Sequence, residues 1–381
     1  MSASLRLSLD DVEVCGLGLA GSWEIVPAWL RSALQRAATR SGARLLAASK
    51  QNAQVGLLEQ ALTQCGMDGD VDSDVLADMQ VFNRESQLID AALWSALMEI
   101  DFVLGELGHR PVYLKGPITS RRYYYPQWHR TFKDVDFMVD KERAIEAYGV
   151  LLRLGYRQGR FDRVSRDVEY RDEPLSISAP REYELPRLIK MVAVQLDDDW
   201  IKKLTLTGFK SDRLLLVDSI AYIPSQVEIH YALEPDRRIP FSLVPANVAD
   251  LPHGQSLNLE SLFIYLCYKA YVDIVLLGAR GGVKLIADVL RLLKSDGHLI
   301  NWDGLIPRYH EHGLCAPVRY ILLHAHAIFG VHVDFQLIGR CSCTTSHQEI
   351  GDVVSGSPLD MGDFLPFLAR GKRPFLFESN E

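Results

Sequence analysis

The chain has 381 residues, 48% of them hydrophobic and 24% charged, a balance that fits an ordinary globular protein with room for two or three domains. A formal net charge of -8 excludes a grip on polyanions through the overall field, and no apolar run approaches the roughly 18 residues that a spanning helix requires. The start, Met1-Ser2-Ala3-Ser4, lacks a basic stretch ahead of an apolar core, and Cys15, Cys65, Cys267, Cys315, Cys341 and Cys343 are too scattered for a disulfide framework, so the expectation is a cytoplasmic protein with reduced thiols.

From Val26 to Leu62 apolar residues recur at spacings of three and four, which predicts helix, and Gly66-Met67-Asp68-Gly69-Asp70 breaks the pattern. A second helical run, Leu76 to Leu107, carries Ile89, Leu93, Leu97, Ile100 and Leu104 on one stripe, read as core. Gly105 to Gly108 and Pro111 end it.

At Pro111 the character changes. Val112 to Leu114 reads as a short buried strand running into a tight turn at Lys115-Gly116-Pro117. The run Arg130-Thr131-Phe132-Lys133-Asp134-Val135-Asp136-Phe137-Met138-Val139 then sets two acids one residue apart in apolar surroundings. Side chains alternate across a strand, so Asp134 and Asp136 share one face and Val135 and Phe137 the other. Two adjacent carboxylates repel, and a divalent cation is the usual reason to keep them; a solvent-facing polar pair on an edge strand is the alternative. A helix from Lys141 to Leu154, closed by Gly155, completes an α/β or α+β unit.

Arg153, Arg157, Arg160, Arg163 and Arg166 are offset by Asp167, Glu169, Asp172 and Glu173, which predicts solvated loop or edge strands. Leu185 to Val194 reads as a helix, and Asp197-Asp198-Asp199 as loop or cap chemistry. Strand signals return at Leu214 to Val217 and Ala221 to Ile223, followed by a turn at Pro224-Ser225 and a strand Val227 to Leu233. There Val227, Ile229 and Tyr231 lie on one face and Glu228 and His230 on the other, making Glu228 the candidate third ligand or base. Leu257 to Leu277, Val283 to Leu293 and Pro317 to Phe329 predict a small helical bundle. Gly278 to Lys284 lacks the phosphate-loop spacing and reads as a helix connection, while Cys341, Cys343 and His347 lack a fourth zinc ligand. The expected organisation is a helical region over 1–108, an α+β core over 109–235, a helical bundle over 236–340 and a tail over 341–381.

Leu114-Lys115-Gly116, Tyr125-Pro126, Arg130-x-x-x-Asp134-Val135-Asp136-Phe137-Met138-Val139, the helix ending Leu154-Gly155-Tyr156 and Val227-Glu228-Ile229-His230, in that order, resemble the uncharacterised nucleotidyltransferase family of the polymerase-beta-like superfamily. Leu285 to Leu293 followed by Asn301-Trp302-Asp303 extend the likeness, which covers roughly residues 85–330. The resemblance implies an α+β fold with a mixed sheet between helical regions, and a Mg2+-dependent enzyme that moves a nucleoside monophosphate, AMP as first guess, from a triphosphate. By this resemblance Asp134 and Asp136 would hold two Mg2+ ions and Glu228 would complete the catalytic metal site. Lys115, Gly116 and Arg130 would meet the triphosphate, and His230, Thr119 and Ser120 would face the acceptor or support the ligands. The acceptor is expected to be a hydroxyl, amine or phosphate of a small molecule or peptide, with transfer RNA as the alternative; from another class comes a catalytically silent module that binds a partner protein or peptide. One departure is Pro117, which removes a backbone donor where the superfamily has Gly or Ser.

Overall fold

The computed structural model describes residues 11–329 apart from 22, 52, 173–174, 176–183, 208–210, 212, 233–244, 249, 274–282 and 312–313. Cys341, Cys343, His347 and most of the connection expected at 278–284 lie outside the described residues. In chain order the elements are α1 (Asp11–Gly18), α2 (Ala28–Gln51), α3 (Val55–Cys65), α4 (Ser73–Glu106), β1 (Val112–Tyr113), α5 (Lys115–Tyr123), β2 (Asp134–Met138), α6 (Lys141–Arg153), β3 (Arg157–Asp162), β4 (Asp167–Tyr170), β5 (Leu188–Gln195) and α7 (Asp198–Thr207). There follow β6 (Leu215–Val217), β7 (Ile220–His230), β8 (Pro245–Asn247), β9 (Gln255–Leu257), α8 (Leu259–Tyr271), α9 (Val283–Asp296), α10 (Trp302–Glu311) and α11 (Cys315–Phe329). The chain divides into two compact units, one formed by residues up to Met79 and from Phe263 onward, the other by Gln80–Leu262. Among the described residues no helix is long and apolar enough to cross a membrane.

The first unit is helical. Leu30, Leu34, Leu58 and Leu62 fill its interior, and edge-on ring pairs form between Tyr271 and Tyr320 at 5.4 Å and between Phe263 and Trp302 at 5.3 Å.

The second unit is built on a mixed sheet in the order β4-β3-β5-β7-β2-β1-β9-β8, with β6 pairing β7. It is the α+β architecture that the resemblance implies. The α4 stripe is buried as expected: Ile89, Leu93, Leu97, Ile100 and Leu104 are all core residues. The helix ends where Gly108 takes a left-handed φ of +79° and the amide of His109 donates to the Leu104 carbonyl at 3.0 Å. Pairing of β2 with β7 is parallel, whereas β1 and β5 flank them antiparallel. Val135, Phe137, Val227 and Ile229 present one fully buried apolar face, which fixes the face left for the acids.

Three sequence expectations are corrected. Residues 188–195 form strand β5, which pairs with β7 along its whole length. The run Leu188-Ile189-Lys190-Met191-Val192-Ala193-Val194-Gln195 has apolar residues at both periods, and cross-strand packing decided in favour of the sheet. Pro224-Ser225 is not a turn but lies inside β7, where β6 pairs with residues 220–222 and β2 with 226–230; the proline falls between these two ladders, where its missing N–H costs little. Lys115-Gly116-Pro117 is not a tight turn either: it is the first turn of α5. Proline is tolerated there because first-turn amides have no acceptor within the helix. Asp197 does act as a cap, accepting the Trp200 amide at 2.7 Å.

Candidate active site

The site begins with strand register. Alternation alone puts Asp134 and Asp136 on one face, but the parallel ladder decides which residue faces which: Asp134 lies beside Gln226, Asp136 beside Glu228, and Met138 beside His230. Asp136 and Glu228 are thus cross-strand neighbours under a common face. Asp136 is fully buried, with Glu228 and His230 close behind.

Around this pair the polar groups converge. His230 Nε2 stands 3.9 Å from Asp136 Oδ1 and 3.9 Å from Glu228 Oε2, and its Nδ1 stands 3.6 Å from Glu184 Oε2. One donor atom each from Asp136, Glu228 and His230 lie within 4.8 Å of one another. Lys115 Nζ is 2.8 Å from Asp136 Oδ2, and the Arg187 guanidinium ion-pairs with Glu228 Oε1. Despite these charges, neither Asp136 oxygen accepts a well-aligned hydrogen bond from the described residues. Lys115 and Asp136 form an ion pair at Oδ2.

The two carboxyls are driven in opposite directions. Burial would raise Asp136, yet the Lys115 ammonium and then His230 outweigh it and hold the group well below the usual carboxylate range. Glu228 is pushed up to about 7, first by burial and then by the charge of Asp136, although Arg187 pulls it down. One acid stays ionised while its neighbour titrates near neutrality, as expected of like charges sharing a buried site.

The remaining predicted residues are placed as follows. Asp134 is half-buried at the edge of the cluster, 3.8 Å from Lys133 Nζ, and does not belong to the group of three. Lys115 opens α5 with φ at +29°, and the Leu114 amide bonds the Asp136 carbonyl at 2.9 Å, tying the helix start to β2. At Gly116 an added Cβ would come within 2.9 Å of the Phe132 Cβ, so the close approach of backbone to side chain demands glycine. Thr119 and Ser120 are fully buried and donate their hydroxyls to the carbonyls of Gly116 at 3.2 Å and Pro117 at 3.0 Å. Arg130 is buried and donates to the Thr131 carbonyl at 2.8 Å.

Sequence reasoning missed Arg187 and Glu184. Both precede β5, a segment expected to be helical, and Glu184 reaches the site through an isolated antiparallel bridge to His230. The available signal was the pair of charged residues, Glu184 and Arg187, heading the apolar run that begins Leu188-Ile189.

A buried carboxylate with unmet acceptor capacity beside a second buried acid, flanked by cations near the head of a helix, forms an arrangement able to hold a divalent ion beside a polyphosphate. Comparison with known proteins agrees in kind: a family model described as uncharacterised nucleotidyltransferase matches residues 39–330. No curated protein and no solved structure matches the chain.

Proposed function

Because the chain belongs to the uncharacterised nucleotidyltransferase family, and is therefore a nucleotidyltransferase, we propose that it moves a nucleoside monophosphate, AMP in the first instance, from a triphosphate to a hydroxyl, amine or phosphate of a small molecule or peptide. The observation that carries this reading is the placement of Asp136 beside Glu228 in register, with buried donor atoms of Asp136, Glu228 and His230 within 4.8 Å of one another.

The residues present fit a divalent ion. Asp136 offers buried oxygens that accept no aligned hydrogen bond from the described residues, and carboxylates are the oxygen donors that Mg2+ takes. Asp136 and Glu228 would hold one ion, and Asp134, at the edge of the same face, would join Asp136 in holding a second against the triphosphate. Bound ions supply charge neutralisation for the attacking and leaving oxygens of an in-line displacement.

The chain's own groups do the rest. Lys115 and the first-turn amides of α5 would bring positive charge to the phosphates, and Arg187 adds a half-exposed guanidinium. Pro117 withdraws one of those amides without disturbing the helix. The acceptor oxygen or nitrogen forms a bond to the α-phosphorus as the bond to pyrophosphate breaks, and the acceptor's proton passes to water, with Glu228 beside the ion helping to activate the acceptor. A net charge of -8 and the self-neutralised arginine hairpin of β3 and β4 favour a small acceptor over long nucleic acid.

Incubation with each α-labelled triphosphate and candidate acceptors tests the reading: label transferred by wild type and not by Asp136→Ala supports it. Calorimetry that finds no Mg2+-dependent binding of a non-hydrolysable triphosphate, and no change in Asp134→Ala or Asp136→Ala, would sink it.

A further inference from the structure

From the same cluster we infer that His230 is a nitrogen ligand of the ion held by Asp136 and Glu228, oriented by Glu184, and that the site consequently takes Mn2+ more tightly than Mg2+. This rests on the metal-dependent reading above and changes its donor set. Three carboxylates were the expectation; two carboxylates and an imidazole are what converge, with Asp134 outside the group.

Two atoms that bind one ion at ~2.0–2.2 Å each cannot lie more than ~4.4 Å apart. His230 Nε2 meets that limit toward both carboxylates, at 3.9 Å from each. The same 3.9 Å lies in ion-pair range. Asp136 Oδ1, in a fully buried side chain directed into the cluster, accepts no hydrogen bond from any described residue.

The far side of the ring adds an independent argument. A metal-bound imidazole characteristically turns its other nitrogen to a carboxylate, which fixes the tautomer and the ring plane. Glu184 stands on that side, its Oε2 3.6 Å from Nδ1 and so in ion-pair rather than hydrogen-bond range, and backbone pairing between Glu184 and His230 brings it there. Alternation provides the rest: two residues after Glu228 on β7, His230 must emerge on the same face. A nitrogen among the donors favours transition-metal ions over Mg2+, and Mn2+ is the one that also suits carboxylates.

The test titrates the full chain, without nucleotide, with Mn2+ followed by electron paramagnetic resonance, with Mg2+ as competitor, and records nitrogen modulation of the bound Mn2+ signal. Wild type is expected to bind Mn2+ at least ~10-fold more tightly than Mg2+ and to show one imidazole nitrogen. His230→Gln should lose that modulation, whereas Glu184→Gln should weaken Mn2+ binding by ~10-fold and retain it. Asp136→Asn should release the nitrogen-coupled ion, which locates the nitrogen even if His230→Gln fails to fold. Tight Mn2+ without nitrogen coupling, or coupling that survives His230→Gln, would overturn the inference while leaving metal-dependent transfer intact. Failure of wild type to bind either ion would overturn both.

Discussion

Among the described residues of the sheet-bearing unit, Asp101 and Asp136 are the two fully buried aspartates, and they are treated in opposite ways. Asp101, on α4, accepts the His253 amide at 3.0 Å and pins the chain that leads into β9; burial raises its carboxyl, and the nearby donors only partly offset that. Asp136 accepts no aligned bond, stands beside a second buried acid, and is nonetheless driven down by Lys115. A structural acid is supplied with backbone donors and kept apart from other acids. Asp136 is instead set against a second acid and compensated by the Lys115 ammonium, with neither oxygen accepting an aligned bond from the described residues.

The contrast can be broken at several points. The largest effect is expected from Asp136→Asn, which should reduce nucleotidyl transfer by on the order of 10³-fold, since the ion we propose it holds would be worth several kcal/mol to the transition state. The same substitution should bring the Glu228 titration down from about 7 toward an ordinary carboxylate value, measurable by NMR, because it removes the charge that helps to raise it. Asp101→Asn should instead leave the chemistry of transfer unchanged and cost about 1–3 kcal/mol in denaturant unfolding, the penalty for disturbing a buried hydrogen-bonded group.

Next comes pH. The folded pKa of Glu228, about 7, exceeds its ordinary value of 4.5, so the folded chain holds an extra proton between them. The Glu228 contribution to metal-free stability is therefore fully present below 4.5 and is lost as pH rises through about 7. Thermal unfolding across this range should show the decline in wild type, a flatter profile in Glu228→Gln, and recovery on adding divalent ion, which binds the ionised form. The smallest effect belongs to the surface. Arg160→Ala breaks an exposed ion pair with Glu169 and should leave the melting temperature and transfer rate within error.

Much of the site was legible in the chain. Period-two alternation placed Asp134 with Asp136 and Glu228 with His230, and the apolar residues between them said which face would be buried. What failed were the positions where local pattern is ambiguous between helix and strand. Residues 188–195 satisfied both periods, and with that segment misread, Arg187 and Glu184 had no route to the site. Lys115-Gly116-Pro117 carries turn residues that also suit a first helical turn.

By itself, then, the sequence determined the apolar stripe of α4, the alternation of the acidic strands and the motif order that marks the family. Tertiary structure alone decided that Asp136 rather than Asp134 lies beside Glu228, that His230 stands close to both Asp136 and Glu228, and that Arg187 and Glu184 arrive from the segment just before β5. The reason is physical: alternation is a property of one strand, whereas register is set by the hydrogen-bond ladder between two, and a site made of pairs is written in the ladder.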